Sequence, residues 1–257
     1  MVYAADDFGL TESVNEAVEI AHRDGCLTQA SLMVAAPAAT DAVARARRLP
    51  NLAVGLHLVL VDGDSLLGHA ALPHITGADG RFGTDQLGLG LRYFASPAAR
   101  RQLAREIRAQ FEAFRATGLA LHHADSHKHM HLHPTVARLM ITIGREFGLT
   151  RMRVPAEPPA VLAACGETPT VADRALYAWS GVLRHQARRA GLVSPDHVFG
   201  IKWSGRMTRD KLEILRAHLP NGSNEIYFHP ATRRDAALER LMPDYRHTEE
   251  LQALLPL

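Results

Sequence analysis

Four short stretches of this chain carry residue types that hydrolytic chemistry uses. In YAADDFG, Asp6 and Asp7 stand side by side after an apolar run. Adjacent residues leaving a strand point in different directions, so one carboxylate can bind a cation while the other faces a substrate. A solvated loop opening would carry the same pair, with Asp7 as a turn residue; the apolar strand before it favours a site. Asp7-Phe8-Gly9 also spells the magnesium tripeptide of protein kinases, but no glycine-rich loop or catalytic loop precedes it. His57 lies in GLHLVL, where an imidazole inside an apolar strand needs a partner for each ring nitrogen. A core histidine bonded to backbone is the plain alternative there. Its strand feeds a long loop, which narrows the gap between the two readings.

The densest signal is HHADSHKHMHLHP, residues 122–134, which holds six of the fifteen histidines. If the chain stays extended there, His123, Asp125, His127, His129, His131 and His133 point the same way, and so many groups cannot all bind one ion. Some must then contact substrate or support the ligands, unless the run is a solvated, adventitious metal binder. One Asp, two His and open coordination positions suit a hydrolytic metal that activates water. Oxygen and imidazole donors without thiolate fit Zn²⁺, with Mg²⁺, Mn²⁺ and Co²⁺ as alternatives. In EIYFHPAT, His229 follows an apolar strand and precedes Pro230, placed to protonate a leaving group or simply to bond to a loop.

These residues need a frame, and the pattern between them supplies one. Val2 to Ala5 reads as a first strand; Ser13 and Glu16 form a capping box for a helix that ends at Gly25. Strands follow at Leu27 to Ala36, Leu52 to Val61, Ala120 to Ala124, Met152 to Val154, about His197 to Lys202, and Glu225 to Phe228. Helices come between them: Pro37 to Leu49, Ser96 to Gly118, Pro134 to Phe147, about Ala172 to Ala190, and Thr208 to His218. Asp62 to Phe94 is rich in glycine and poor in period, an insertion loop at about 62–94 of the kind that serves function more often than not. Nearly all the chemistry-bearing residues fall at or near the carboxyl ends of strands. A barrel gathers such ends around one mouth, whereas an open sheet uses mainly those beside its switch point. The expected architecture is an α/β fold, a distorted seven-stranded β/α (TIM-like) barrel.

Composition sets the bounds. At 257 residues and 47% hydrophobic content, the chain can bury one large core, so residues 1–257 read as one domain. A net charge of +2 and 6% aromatics give no footprint for nucleic acid. Cys26 and Cys165 form no disulfide framework or thiolate metal motif, and with no leader-like or spanning run the expected location is cytoplasmic.

Taken together, ADDFG, GLHL, DSHKHMH and YFHP, in this order and spacing, resemble the YdjC-like carbohydrate deacetylases, relatives of chitooligosaccharide deacetylase, from Ala5 to about Pro230. Within that family, SLMVAAPAA, DHVFG and EIYFHPAT resemble the hopanoid-biosynthesis-associated, HpnK-like members. The resemblance implies that Asp7, His57 and His127 bind a divalent metal, Asp6 is the catalytic base and His229 the general acid. It leaves the other histidines of the run free of the ion. Arg153 and His129 are weaker candidates for substrate contact; Asp125, another such candidate, is also placed to orient an imidazole. The implied reaction is hydrolysis of the N-acetyl group of an amino sugar, small or lipid-linked, including an N-acetylglucosaminyl hopanoid. The first strand is shorter than is usual in the family, which leaves the native start of the chain open.

Two other classes compete. Barrel-type phosphoesterases also use His and Asp, but carry H-x-H after strand one where this chain has Asp-Asp. A non-catalytic metal-binding protein of a lipid pathway would hold the ion and turn over nothing. Arginines 45, 47, 48, 100, 101, 105, 108, 184, 188 and 189 would suit peripheral contact with an acidic inner-membrane surface, or form solvated helix faces. A homodimer is also open.

Overall fold

The computed structural model describes residues 1–256. Its strands are β1 (Val2–Phe8), β2 (Gln29–Leu32), β3 (Ala53–Leu58), β4 (Gly63–Asp64), β5 (Arg81–Phe82), β6 (Ala124–Ser126), β7 (His197–Phe199) and β8 (Asn224–Phe228). Six of them form one parallel sheet in the order β6-β3-β2-β1-β8-β7, and β4 and β5 pair antiparallel in a separate ribbon. The helices are α1 (Glu12–Arg23), α2 (Ala39–Ala46), α3 (Gly68–Ala71), α4 (Gln86–Ala95), α5 (Pro97–Ala116), α6 (Pro134–Glu146), α7 (Pro159–Ala164), α8 (Val171–Arg189), α9 (Arg209–Ala217), α10 (Ala236–Leu241) and α11 (His247–Leu254). A 3-10 segment, His127–Leu132, joins β6 to α6.

The expected seven-stranded barrel is corrected to a curled sheet of six strands. Met152 and Arg151 make only isolated bridges, to Ala124 and Val193. Residues 151–156 nevertheless reach both edges of the sheet: the Arg153 N–H donates to the Ala124 carbonyl at 3.2 Å, and the Val198 N–H to the Ala156 carbonyl at 3.2 Å. Pro155 has no N–H to continue a ladder, which is why this stave never becomes a strand.

Strand alternation divides the sheet into two chemistries. Ala5, Ala30, Leu32, Leu56, Leu58, Ala124, Ile226 and Phe228 belong to the main apolar core. The opposite face is polar at the same strands. Ser31 pairs with Gly55, His57 with Asp125, and Tyr227 with Ala4 across the parallel ladders, so these side chains line the inner side of the curl. Gly55 is required there, because a Cβ at this position would lie 2.4 Å from the buried His123 ring.

Local signals set most helix starts, with one correction. Ser96 caps α5, accepting from the Ala99 N–H at 3.2 Å, with Pro97 in the first turn. At α1 the cap is Thr11, whose side chain accepts from the Val14 N–H, and not Ser13. Ser13 donates instead to Asp235 at 2.7 Å, and Glu16 accepts from Thr232 at 2.7 Å, so both are drawn to the C-terminal part of the chain. The stretch 62–94 contains the β4–β5 ribbon, α3 and α4. Buried Glu106 of α5 holds it down by accepting from the Leu66 and Leu67 N–H groups at 2.9 and 3.2 Å.

Candidate metal centre and active site

β1 continues past Ala5 to Phe8, and its register against β2 breaks between Ala5 and Phe8. In that bulge Asp7 has φ 61°, left-handed backbone that Asp tolerates better than bulky residues. The break lets two successive carboxylates turn inward: Asp6 is 3% and Asp7 1% exposed.

His57 on β3 meets Asp7 from the neighbouring part of the sheet, its Nε2 3.4 Å from Asp7 Oδ1. His127, at the first residue after β6, places Nδ1 3.1 Å from the same oxygen. One ligand atom from each of the three residues lies within 4.8 Å of the others. On its far side, His57 Nδ1–H donates to Asp125 Oδ1 at 2.7 Å. That bond orients the ring and turns Nε2 toward Asp7, so that Nε2 is the nitrogen left for a cation.

Below these groups lies a buried ionic floor. Arg153 Nη1 is 2.7 Å from Asp6 Oδ2 and 2.9 Å from Asp125 Oδ2, while its Nε donates to Glu225 Oε1 at 2.5 Å. Its guanidinium stacks 4.8 Å from the Tyr227 ring centre. Ser31 Oγ donates to Asp125 Oδ2 at 2.8 Å and lies 3.0 Å from His123 Nε2. Burial opposes a charge on His57, but Asp125, Asp7 and Asp6 hold its pKa up at about 10. Burial likewise works against ionised Asp7, yet His127 and His57 keep its carboxyl well below the usual range. Asp125 is lowered against its own burial by Arg153 and His57.

This donor set fits a divalent cation. Asp7 Oδ2 and Asp6 Oδ1 are buried without a partner. Asp6, Asp7 and Asp125 face a single guanidinium, so the pocket has an excess of negative charge that currently draws a proton onto His57. A divalent cation held by Asp7, His57 and His127 would take the place of that proton and satisfy the open carboxylate oxygen. One carboxylate and two imidazoles with free positions match catalytic rather than structural metal sites.

A family model for YdjC-like proteins matches residues 1–256. The chain belongs to the YdjC-like family. Among curated relatives, this YdjC-like protein is 37% identical over 161 residues to a carbohydrate deacetylase of Brevibacillus brevis, covering 62% of this chain and 59% of that protein. It is 37% identical over 147 residues to a carbohydrate deacetylase of Vibrio cholerae serotype O1, 57% of this chain and 56% of that one. The matched region thus spans less than two thirds of those relatives. Over 98% of its length the YdjC-like chain also superposes on 89% of a solved Enterococcus faecalis V583 protein named for a proposed role in cellobiose-phosphate cleavage, with a TM-score of 0.73 and 21% identity. That likeness concerns the fold.

The YdjC-like site brings together Asp6, Asp7, His57, Asp125 and His127, and sorts the remaining expected residues differently. The histidine run is not extended. After His127 the chain turns, with Lys128 at φ 49° and His129 at φ 51°, and each ring goes its own way. His123 turns under the sheet to Ser31, His131 Nδ1 packs 2.7 Å from Ser126 Oγ, and His129 Nε2 lies 2.9 Å from the Tyr227 hydroxyl. Burial pushes His123 and His131 down to about 4, which keeps them neutral. Arg153, 1% exposed, is engaged by Asp6, Asp125 and Glu225, and Asp125, 0% exposed, by His57, Ser31 and Arg153, so both lie beneath the centre. His229 sits beside Tyr245 and Tyr227, ring centres 5.0 and 5.7 Å away, with Nδ1 unpartnered and 3.8 Å from Glu250 Oε2. Its backbone N–H donates to Glu250, and its carbonyl accepts from His247 at 2.7 Å. Burial lowers its pKa, with Asp7 and Asp6 opposing, which makes its protonated ring a stronger proton donor. Ser31, Glu225, Tyr227 and Glu250 complete the site without having been singled out in the sequence. A signal for two of them existed: Glu225, Tyr227 and His229 recur every second residue through EIYFH, a polar face on an otherwise apolar strand.

Proposed function

We propose that this chain is a metal-dependent hydrolase that removes the N-acetyl group from an amino sugar. The observation that carries the reading is the buried Asp7–His57–His127 cluster with a second, half-free carboxylate, Asp6, beside it. The carbohydrate deacetylases among its relatives support the substrate class.

Asp7, His57 and His127 hold the ion in this reading. A divalent cation bound there supplies Lewis acidity to an acetyl carbonyl and to the attacking water. Asp6 takes the water proton through Oδ1, the oxygen Arg153 leaves free, while Arg153 fixes the carboxylate by its other oxygen. His229 delivers a proton to the departing amine. His127 also forms part of the wall of a recess where Leu10, Met33, Ala36, Val59 and Met242 offer apolar surface to the acetyl methyl group and Asp62, Asp64 and Arg81 offer polar groups to the sugar. A glycosylated hopanoid belongs to this proposal as one acetylated substrate, on the strength of the SLMVAAPAA, DHVFG and EIYFHPAT resemblance.

Acetate release from a panel of N-acetylglucosaminyl compounds, with the metal stripped and restored, tests it. Acetate that disappears on chelation and returns with added Zn²⁺, Mg²⁺, Mn²⁺ or Co²⁺ is expected. Phosphate release from phosphoesters with no acetate from any member of the panel would overturn it.

A further inference from the structure

We infer that the outer face of α4 and the groove beside it form a docking surface for an anionic lipid bilayer. Along α4, Leu87, Leu91 and Phe94 are 83%, 71% and 62% exposed, at i, i+4 and i+7, while Leu89 and Tyr93 bury the opposite side. A helix that is apolar on both faces leaves one of them without a partner. The patch extends to α8, where Trp179 is 40% exposed and donates its indole N–H to the Leu132 carbonyl at 2.7 Å. Indole at such a border is at home in a headgroup layer, with its ring in hydrocarbon and its N–H bonded.

Charge identifies the occupant. Phe94 belongs to two adjoining grooves: one lined by Leu87, Leu91, Met130 and Leu132, the other by Arg100, Arg138 and Arg189, and neither has an aspartate or glutamate in its lining. Apolar side chains bordered by basic groups match an interface of acyl chains below anionic headgroups. Two-fold pairing of this face with a second copy would crowd the arginines of one chain against those of the other, which disfavours self-association as its purpose. His129 lines the same groove and contacts the Tyr227 hydroxyl, so the docked face borders the mouth of the buried site. The inference stands without the deacetylase reading, because its readout is binding.

Co-sedimentation with vesicles decides it, using the full chain with bound metal. Vesicles of equal parts phosphatidylcholine and phosphatidylglycerol are expected to retain the protein, and phosphatidylcholine alone to retain much less. Leu87→Glu and Leu91→Glu change exposed side chains and should abolish retention while leaving the circular dichroism spectrum and metal content intact. Arg138→Glu and Arg189→Glu should each weaken binding about fivefold or more, and raised salt should do the same. Equal retention of the wild type and Leu91→Glu, or no retention on either vesicle, overturns the inference. So does a dimer in sedimentation that Leu91→Glu dissociates while vesicles fail to bind, since the face would then cover a second copy.

Discussion

His57 Nδ1 and Asp125 Oδ1 are 2.7 Å apart, both fully enclosed, and this bond decides which nitrogen of His57 meets Asp7. Asp125 is therefore a positioning residue: it acts on the ion through the ring it holds. Asp125→Asn keeps the shape but can present the wrong group to Nδ1. We expect metal affinity to fall about 10- to 100-fold, measured by competition with a chromogenic chelator. Unchanged affinity would mean that the His57 tautomer is set elsewhere.

For His229 the expectation depends on the leaving group. An amide needs its amine protonated, so His229→Ala should lower kcat on an N-acetyl sugar by about 10²- to 10⁴-fold. p-Nitrophenyl acetate expels an anion that needs no proton and should be hydrolysed almost as well as by the wild type. Equal losses on both substrates would assign His229 to binding or folding instead.

Much of this arrangement was legible in the sequence. Asp6, Asp7, His57 and His127 stand at strand ends, and strand ends converge wherever parallel strands curl, so the pattern of strands was enough to bring them together. The histidine run was not legible in the same way. Alternation assumes extended backbone, and left-handed Lys128 and His129 break it at the residue after the ligand. The ionic floor was hidden for a different reason. Arg153, Glu225 and Asp125 come from three separate strands or staves, and only the register of β3 with β6 and of β1 with β8 shows that they share one interior. The seventh strand failed on a local detail, the missing N–H of Pro155. The capping box failed on a distant one, the claim of Asp235 and Thr232 on Ser13 and Glu16.

Arg153 neutralises a cluster of buried carboxylates, Asp6, Asp125 and Glu225. Arg153→Met removes the guanidinium that Asp6, Asp125 and Glu225 share and leaves them to repel one another. The expected cost is about 3–5 kcal/mol of folding stability, read from urea unfolding at neutral pH. Part of that loss should return at lower pH, where the carboxylates can protonate. A variant as stable as the wild type at pH 7 would show that the floor is more hydrated than its burial implies.

Glu250 gives the fold a pH dependence of its own. Burial pushes its carboxyl up to about 8, against the N–H groups of His229 and Met207, which favour the charged form. The folded chain therefore keeps a proton that the unfolded chain releases near pH 4.5. This contribution to stability is complete below that point and is lost as pH rises through 8, with a slope near 1.4 kcal/mol per pH unit at most. Glu250→Gln should flatten that decline between pH 5 and 8 in urea titrations. An identical slope in the variant would mean that Glu250 is ionised throughout.

The central claim is that Asp7, His57 and His127 grip one divalent ion. Isothermal titration of the metal-free chain with Zn²⁺, beside Asp7→Ala and His57→Ala, tests it most directly. The account predicts one tight site per chain in the wild type and none in either variant, with both variants folded by circular dichroism. A tight site that survives both substitutions would place the metal elsewhere and contradict it.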